Sequence, residues 1–576
     1  MTPPTRRLSL LLSLLLAGAL VPRTSAQESA ASIVGTWERV SVRDAKGEET
    51  LPGKSATRLI FSADGHFLQT TVPTGSQPDA DELKTKSKDE LLARLNAITA
   101  GFGEWRVVGG LLVREARLGT RGQGWQTDRF SLEGDTLVLR DPVAGARTEE
   151  RFRRVPPYVD APPDPARVAD LKTRLTRIRT IDPSDTDFAD LQALKPLIGS
   201  AQVVMLGEQS HGDGATFDAK TRLIKFLHEQ MGFDVLAFES GLYDCEVGDA
   251  ILASGRPGQE ALGSSIFGIW GSGERLVPLF DYLAATAKTG NRLVLTGFDP
   301  QFSMMDQPKL TAGFAKDLLA GLAAIDPSLA DERARSLITA VAEALGKEYT
   351  PSREQRETTR LALAGLLART KARAGSAPSR DADYILRLVG NLAAYEEEQW
   401  LLSQEGFKGL NGFNVRDARM AENLVWLLEH RYRGRKIIVW AASMHIAREA
   451  PAIDTQSPGF DYNGFRTLGQ GAWEALQHRM YAVMFTAYDG TAGPPGGGWA
   501  ITPARGDSLE GALHATEVPL GFVDFRSLPA GHWLRGTVPA RPLGYSPMLA
   551  AWPRHFDGLV YTETMYPNKR REAGKH

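Results

Sequence analysis

Two histidines and two glutamates stand at positions where they could activate a water molecule. Glu208 and His211 belong to the string Gly-Glu-Gln-Ser-His-Gly, Glu239 follows the apolar run Val-Leu-Ala-Phe, and His445 comes soon after the run Ile-Ile-Val-Trp. An imidazole can take a proton from water near neutral pH, and a neighbouring carboxylate can fix its tautomer and stabilise the imidazolium that forms. These residue types therefore predict hydrolysis by a histidine-activated water.

This chemistry requires the four side chains to lie close together. The segments that precede them in the sequence predict the fold that would place them so. Each follows a buried apolar run, and such runs alternate with segments of helical periodicity, a pattern that predicts an α/β domain with a mostly parallel sheet flanked by helices. Ligands of such sheets bind beyond the carboxyl ends of the strands, so we expect the candidates at one edge. The predicted strands are residues 202–207, 235–238, 293–298, 437–440, 481–486 and 557–562, and Asp299 and Ser443 stand at two of the same ends.

A long helical block interrupts the alternation of strands and helices. Residues from about 306 to 410 are rich in Ala, Leu, Arg and Glu and carry almost no strand signal. They are predicted to form a helical insertion that covers the site and excludes bulk water, a common role for such segments. The complete α/β domain is expected to span residues 167–576.

Upstream of this domain the pattern changes to short strands separated by turn residues. Asp64-Gly65 and Gly109-Gly110 each lie between two strand-like runs, as in β-hairpins, and the series of such runs in residues 31–155 predicts a small all-β barrel. One helical stretch, Ala80 to Thr99, interrupts the strands. A proline-rich linker at residues 156–166 favours extended geometry and separates the two domains.

Composition and charge limit the classes of partner. The 576 residues include 67 Lys and Arg against 69 Asp and Glu, which gives a net charge of -2. Nucleic-acid binding needs clustered positive charge and is not expected. The single cysteine, Cys245, excludes an intrachain disulfide and a cysteine-rich zinc site.

The first 26 residues are predicted to be a signal peptide. Arg6 and Arg7 precede the apolar stretch Leu8 to Leu20, and Thr24-Ser25-Ala26 offers small residues before a cleavage point. The apolar stretch is too short for a permanent transmembrane helix, and no later segment is long enough either, so stable membrane insertion is not expected. The mature protein is predicted to be exported, to the periplasm or the extracellular space.

The sequence around these residues leaves three other functions open. The two histidines and two carboxylates could hold Zn²⁺ in a metal-dependent hydrolase, although the chain has no His-Glu-x-x-His string. Ser210 stands beside His211, but it lacks the Gly-x-Ser-x-Gly surroundings of a serine nucleophile. His211 and His445 could instead be axial ligands in a haem-binding module.

A series of motifs resembles the erythromycin esterase family. The motifs run in order from about residue 200 to 565, which covers nearly the whole α/β domain. They are Leu206 to Gly212, Arg222, Phe226-Leu227, Gly232-Phe233, Phe238-Glu239-Ser240, Gly297-Phe298-Asp299, Arg416 to Asn423, His445 to Arg448 and Leu468-Gly469. In the upstream domain, Gly35-Thr36-Trp37 and the hairpin Phe61 to Gly65 resemble lipocalin-like domains.

The resemblance implies a metal-independent esterase that opens macrolide lactone rings, an activity that confers antibiotic resistance, with no cofactor. By position, His211 is the general base and Glu208 its partner, while Glu239 and His445 complete the catalytic set. Expected contacts to the small ester or lactone substrate come from Lys220, Arg416, Asp299 and Ser443. Lys220 replaces an arginine common in the family, Ser443 an asparagine and Ala215 a glutamate, which leaves the substrate open to esters other than macrolides. The lipocalin resemblance implies either an apolar ligand cup or, as we favour, a filled barrel; the oligomeric state is left open.

Overall fold

The computed structural model of the protein describes residues 32–44, 49–50, 55–73, 87, 98–120, 123–142, 148–155, 161–303, 308–347, 350–376, 378–406, 410–457, 460–493 and 497–571. The predicted signal peptide and nearly all of the predicted helix from Ala80 to Thr99 lie outside these residues. The chain forms two units, residues 1–159 and 160–576.

The first unit is a closed antiparallel barrel. Eight strands follow one another around it, and β1 pairs with both β3 and β9, which leaves no free edge. The strands are β1 (Gly35–Arg43), β2 (Glu49–Thr50, an extra pair on β1), β3 (Ser55–Phe61), β4 (His66–Pro73), β5 (Thr99–Val108), β6 (Leu111–Gly119), β7 (Gly124–Glu133), β8 (Thr136–Arg140) and β9 (Glu149–Val155). The predicted barrel is therefore confirmed, and an eight-stranded up-and-down barrel is the architecture of lipocalins.

The barrel interior has an apolar part and a polar part. Trp37, Leu59, Trp105 and other buried side chains form the apolar core. Farther along the same strands, the guanidinium of Arg114 lies 2.6 Å from the Asp128 carboxylate and donates to Gln69. Arg114 also lines a cavity of about 320 Å³ among strands β4 to β7. The interior is thus not filled by apolar side chains alone.

The second unit is built on a mixed sheet. Six neighbouring strands are parallel, in the order β20-β15-β11-β14-β12-β13, while β17, β10 and β16 add antiparallel pairings. The strands are β10 (Thr176–Arg177), β11 (Val203–Glu208), β12 (Val235–Gly241), β13 (Val294–Asp299), β14 (Ile437–Ala442), β15 (Met480–Ala492), β16 (Trp499–Ile501), β17 (Leu520–Asp524) and β20 (Gly558–Met565). A separate hairpin consists of β18 (Val538–Ala540) and β19 (Met548–Ala550).

Helices cover the central strands on both faces. All residues of β11, β12 and β14 are buried, as the apolar runs predict for strands packed on two sides, and the two large cores lie on opposite faces. The helices outside the insertion are α1 (Pro165–Arg174), α2 (Leu194–Ile198), α3 (Gly214–Met231), α4 (Leu242–Ala253), α5 (Gly258–Ser265), α6 (Gly268–Gly271), α7 (Val277–Thr286), α13 (Ser443–Ile446), α14 (Leu468–Leu476), α15 (Leu509–His514) and α16 (Trp552–His555).

Between β13 and β14 the chain is helical. This insertion contains α8 (Pro308–Ile325), α9 (Glu332–Ala344), α10 (Arg353–Ser376), α11 (Arg380–Glu405) and α12 (Leu410–Trp426), followed by a π-helical turn, Leu427–Arg431. It extends beyond the predicted end near residue 410, so that α12, which carries Arg416, belongs to it. None of the described helices combines the length and apolarity needed to cross a membrane.

Candidate active site

The turn after β11 is built to hold His211 close to the end of that strand. β11 ends at Glu208 and α3 begins at Gly214, and the Asp213 carboxylate between them accepts hydrogen bonds from the Ser210 amide (2.8 Å) and hydroxyl (2.7 Å). Gly207 must be glycine because a Cβ there would lie 2.8 Å from the Cα of Ser443. The backbone therefore doubles back, and His211 faces Glu208.

Glu208 is the centre of a first group of side chains. Its Oε1 lies 3.2 Å from Nδ1 of His211 and accepts a hydrogen bond from the Trp270 indole N–H (3.1 Å), while its Oε2 pairs with the Lys220 ammonium. The Trp270 ring also meets the His211 ring edge-on, at 4.7 Å between centroids. Glu208 and Lys220 are fully buried, whereas the His211 side chain is 33% exposed. Of these three side chains, His211 is thus the one that solvent can reach.

The charges of this group stabilise one another. Burial by itself raises the pKa of Glu208, but the Lys220 ammonium and the His211 ring outweigh it and hold the pKa below its ordinary value. Burial lowers the pKa of Lys220, and the Glu208 carboxylate opposes that effect. Lys220 also donates to the Ala441 carbonyl (3.2 Å) and lies over the Trp440 ring. Glu208 is therefore an ionised, rigidly held partner for His211.

A second group surrounds Glu239 and His445. Nδ1 of His445 lies 2.9 Å from Asp417 Oδ2, and its Nε2 lies 3.4 Å from Glu239 Oε1. The Arg416 guanidinium reaches Glu239 at 3.3 Å and Asp299 at 2.5 Å. All five side chains are buried or nearly so, and they come from β12, β13, the residues just after β14, and α12.

The protonation of His445 follows from its neighbours. Burial disfavours the imidazolium, but the carboxylates of Asp417 and Glu239 outweigh burial and raise the pKa of His445 to about 9. The ring is therefore a cation at neutral pH. In that state it can stabilise negative charge, but it cannot accept a proton from water.

The end of β14 connects the two groups. The Ala442 amide donates to Glu239 Oε2 (2.7 Å), the Ala441 carbonyl accepts from Lys220, and Ala442 is the parallel partner of Glu208. The candidates thus lie at one edge of the sheet, where the strand ends predicted them. Of the four residues expected to contact substrate, Lys220, Asp299 and Ser443 are fully buried and Arg416 is 11% exposed. Ser443 uses its hydroxyl to donate to the Gly207 carbonyl (2.7 Å).

Several residues of the site carry no signal in the sequence. Asp417 lies within the motif Arg416 to Asn423, but an acid on a helix is usually solvated, and nothing in its spacing marks it as the partner of His445. Trp270 belongs to the four-residue helix α6, which has no periodic signal. Glu398 and Gln301, which extend the second group, have no motif at all.

The geometry also bears on the alternative uses. The Ser210 hydroxyl donates to Asp213 and the Ser443 hydroxyl to Gly207, and neither is bonded to a histidine. Nε2 of His445 faces Glu239, so it is not directed at a haem iron. Within the described part of the chain, no three His, Cys, Asp or Glu side chains are grouped so that they could hold a metal ion.

Comparisons with known proteins agree on one family. The sequence profile of the erythromycin esterase family matches residues 228–565, a range that includes Glu239, Asp299, Arg416 and His445 but begins after His211. The Bacillus subtilis protein YbfO, named as a hydrolase, is 27% identical over 411 residues, covering 67% of this chain and 89% of its own length. Erythromycin esterase type II of Escherichia coli is 24% identical over 375 residues, covering 60% and 85%.

The fold is shared with a solved member of the same family. The structure of a histidine-to-asparagine mutant of erythromycin esterase EreC, in its open conformation, superposes with a TM-score of 0.54 at 17% identity, covering 69% of this chain and 98% of that protein.

Proposed function

The chain belongs to the erythromycin esterase family, and on this basis we propose that it is a metal-independent carboxylic ester hydrolase in which His211 activates the attacking water. The matched relatives show that the protein is a hydrolase of this family. The geometry around His211 supports its role in activating the water.

The observation that carries the proposal is the contact between His211 and Glu208. A carboxylate only accepts hydrogen bonds, so Nδ1 carries the proton in the neutral ring and Nε2 presents its lone pair. No hydrogen-bond partner of Nε2 is found among the residues that the structure describes, and the ring is partly exposed. A base held by a buried carboxylate and open to solvent on its other nitrogen is the arrangement that water activation needs.

The reaction then proceeds in two steps. Nε2 of His211 takes a proton from water as the water oxygen bonds to the ester carbonyl carbon, which gives a tetrahedral intermediate and an imidazolium stabilised by Glu208. The intermediate collapses by breaking the bond to the alcohol oxygen, and the imidazolium returns the proton to that oxygen. One water is consumed, and an acid and an alcohol, or a ring-opened hydroxy acid, result.

We assign electrostatic roles to the remaining charged residues. His445 remains positively charged up to about pH 9 and would stabilise the negative charge that develops on the carbonyl oxygen. Lys220 is already bonded to Glu208, so we assign it to positioning Glu208 instead of the substrate. Asp299 and Glu239 hold Arg416, and Ser443 holds the end of β14 against β11.

The substrate is proposed to be a small ester or a macrocyclic lactone. The relatives named as erythromycin esterases favour a macrolide, while Lys220 and Ser443, which replace the family's usual arginine and asparagine, leave room for another ester. A lysine is a point charge and lacks the planar donor fork of arginine. If macrolides are hydrolysed, the protein would confer resistance on the cell that makes it.

The direct test is turnover measured by mass spectrometry. Wild-type protein, His211→Ala and the matched control His430→Ala, an exposed histidine outside the site, are incubated with a panel of macrolides and simple esters. We expect a mass gain of one water with wild type and control, and a loss of about 10² to 10⁴ in kcat for His211→Ala. Near-normal turnover by His211→Ala would remove His211 from the role of base.

Two further proposals have their own tests. Activity that survives treatment with a chelator, in protein with less than one metal ion per chain, would support a metal-independent reaction, and activity lost and then restored by Zn²⁺ would refute it. We also propose export to the periplasm or beyond, on the strength of residues 1–26. Sequencing the N-terminus of protein recovered from the periplasmic fraction should find Gln27 first.

A further inference from the structure

Glu398 reaches the second group of the site from the helical insertion. It lies on α11 and is 1% exposed. Its Oε1 accepts a hydrogen bond from the Gln301 side-chain amide at 2.6 Å, while its Oε2 is buried without a hydrogen-bond partner in the described structure. An ionised carboxylate with one unpaired buried oxygen is costly. The surroundings therefore favour a proton on Glu398.

The neighbouring charges point in the same direction. The titratable groups that act on Glu398 are Asp299 at the end of β13, Arg416 and Asp417 on α12, and Tyr395 on α11 itself. With Glu239 and His445, the buried network would hold four carboxylates against two cations if Glu398 were ionised. Burial raises the pKa of Glu398 to about 7; Asp299 adds to this rise, and Arg416 and Gln301 oppose it. Glu398 thus changes charge near neutral pH.

Arg416 is the group that would respond to this change. Its guanidinium lies 2.5 Å from Asp299 but 3.3 Å from Glu239, so the contact with Glu239 is the weaker one. Gln301, whose side chain donates to Glu398, also contacts Asp299: its main-chain amide donates to the Asp299 carboxylate at 3.0 Å. A second negative charge on the Asp299 side would compete with Glu239 for the guanidinium.

We propose that Glu398 is a positioning residue through which the helical insertion controls the contact between Arg416 and Glu239. With a proton on Glu398, the guanidinium bridges Asp299 and Glu239. When Glu398 ionises, the guanidinium moves toward Asp299 and Glu398, and Glu239 loses the arginine contact that helps to hold it beside His445. This inference rests on the proposed hydrolase function, since it assigns a regulator to that same site.

The pH dependence of activity tests the proposal. Initial rates with p-nitrophenyl butyrate, corrected for spontaneous hydrolysis, give kcat/KM from pH 5.5 to 9.5 for full-length wild type, Glu398→Gln and the control Glu397→Gln, whose carboxylate lies outside the network. The alkaline limb of wild type should fall near pH 7, and that of Glu398→Gln near pH 9, where His445 loses its proton. At pH 8 the variant should then retain about a tenfold larger share of its maximum. Identical alkaline limbs would overturn the proposal.

A measurement without turnover separates this proposal from the proposed function. Histidine labelled with ¹³C at Cε1, with the His445 signal assigned through His445→Gln, reports the surroundings of that ring by NMR. In wild type the His445 signal should move with an inflection near pH 7, and in Glu398→Gln this inflection should be absent. If it is present in both proteins, Glu398 does not act on the network. If the NMR result is as expected but no ester is hydrolysed, only the proposed function fails.

Discussion

Asp417 lies with both carboxylate oxygens within 3.0 Å of His445 Nδ1, and its Oδ1 also accepts the Leu468 main-chain N–H at 2.7 Å. The carboxylate is therefore fixed by the start of α14, and it faces a buried ring whose other nitrogen lies near Glu239. This relationship makes the His445 side chain a cation in the resting protein, and it distinguishes His445, a fixed charge, from His211, the proposed base.

Asp417→Asn should convert His445 to a neutral ring at working pH. The substitution keeps the shape but removes the carboxylate that most strongly favours the imidazolium, so the pKa of His445 should fall from about 9. We expect kcat to drop at least tenfold at pH 7, because the positive charge is lost. NMR titration of the labelled His445 ring measures the pKa, and Asp461→Asn on the surface is the control. An unchanged titration would contradict the assignment of Asp417.

The pair of Glu208 and Lys220 predicts a thermodynamic coupling. Removing one member of a buried ion pair leaves an uncompensated charge, so Glu208→Gln or Lys220→Met should each cost about 3–5 kcal/mol of stability. The double variant should recover most of that loss, since a neutral pair carries no such penalty. Denaturant unfolding measures these values. Activity should stay low in the double variant, because His211 still lacks its carboxylate; recovery of activity would show that Glu208 serves only folding.

Some contacts of the site could be predicted from the sequence, and others depend on tertiary packing. Glu208 and His211 are three residues apart in one turn, and the strand-end rule places Glu239 and His445 at one edge. The partners that determine protonation were not predictable: Asp417, Trp270 and Glu398 lie far from their partners in sequence, and only the packing of α6, α11 and α12 brings them together. Lys220 could be identified, but its burial against Glu208 could not.

The fold, like the site, has parts that the sequence predicted and parts that it did not. Apolar runs predicted the buried strands β11, β12 and β14, because a strand covered on both faces needs apolar residues at every position. The antiparallel additions β10, β16 and β17 were missed. Each has at most five residues, and neither periodicity nor a crossover helix marks it. The resemblance to the erythromycin esterase family is confirmed by the profile match.

Trp270→Phe should separate packing from hydrogen bonding at Glu208. Phenylalanine keeps an aromatic ring against His211 but removes the indole N–H that donates to Glu208 Oε1 at 3.1 Å. A lost hydrogen bond to a charged group costs about 1.5–3 kcal/mol, which thermal or denaturant unfolding would detect. We expect kcat to fall about tenfold with KM little changed, because the carboxylate is less well oriented. A normal kcat would mean that Trp270 only fills space.

Asp213 should make the protein less stable as the pH rises. Burial raises the pKa of this carboxyl to about 7, against the hydrogen bonds from Ser210. In the unfolded chain the pKa returns to about 3.9. Between these values the folded state binds more protons than the unfolded state, so this group's contribution to stability is fully present below about pH 4 and is lost as the pH rises through 7. The loss amounts to about 4 kcal/mol at most, at 1.36 kcal/mol per pKa unit.

Asp213→Asn removes this titration and so gives a measurement of it. The variant loses some of the hydrogen bonding to Ser210 and should be less stable than wild type at pH 5. Its disadvantage should shrink or reverse by pH 8, where wild-type Asp213 is ionised in a buried position. Unfolding free energies at the two pH values, with Asp187→Asn on the surface as control, test this. A constant difference between Asp213→Asn and wild type would show that Asp213 does not titrate between pH 5 and pH 8. Because Ser210 adjoins the proposed base, the variant's kcat at pH 8 would also report how far this turn orients His211.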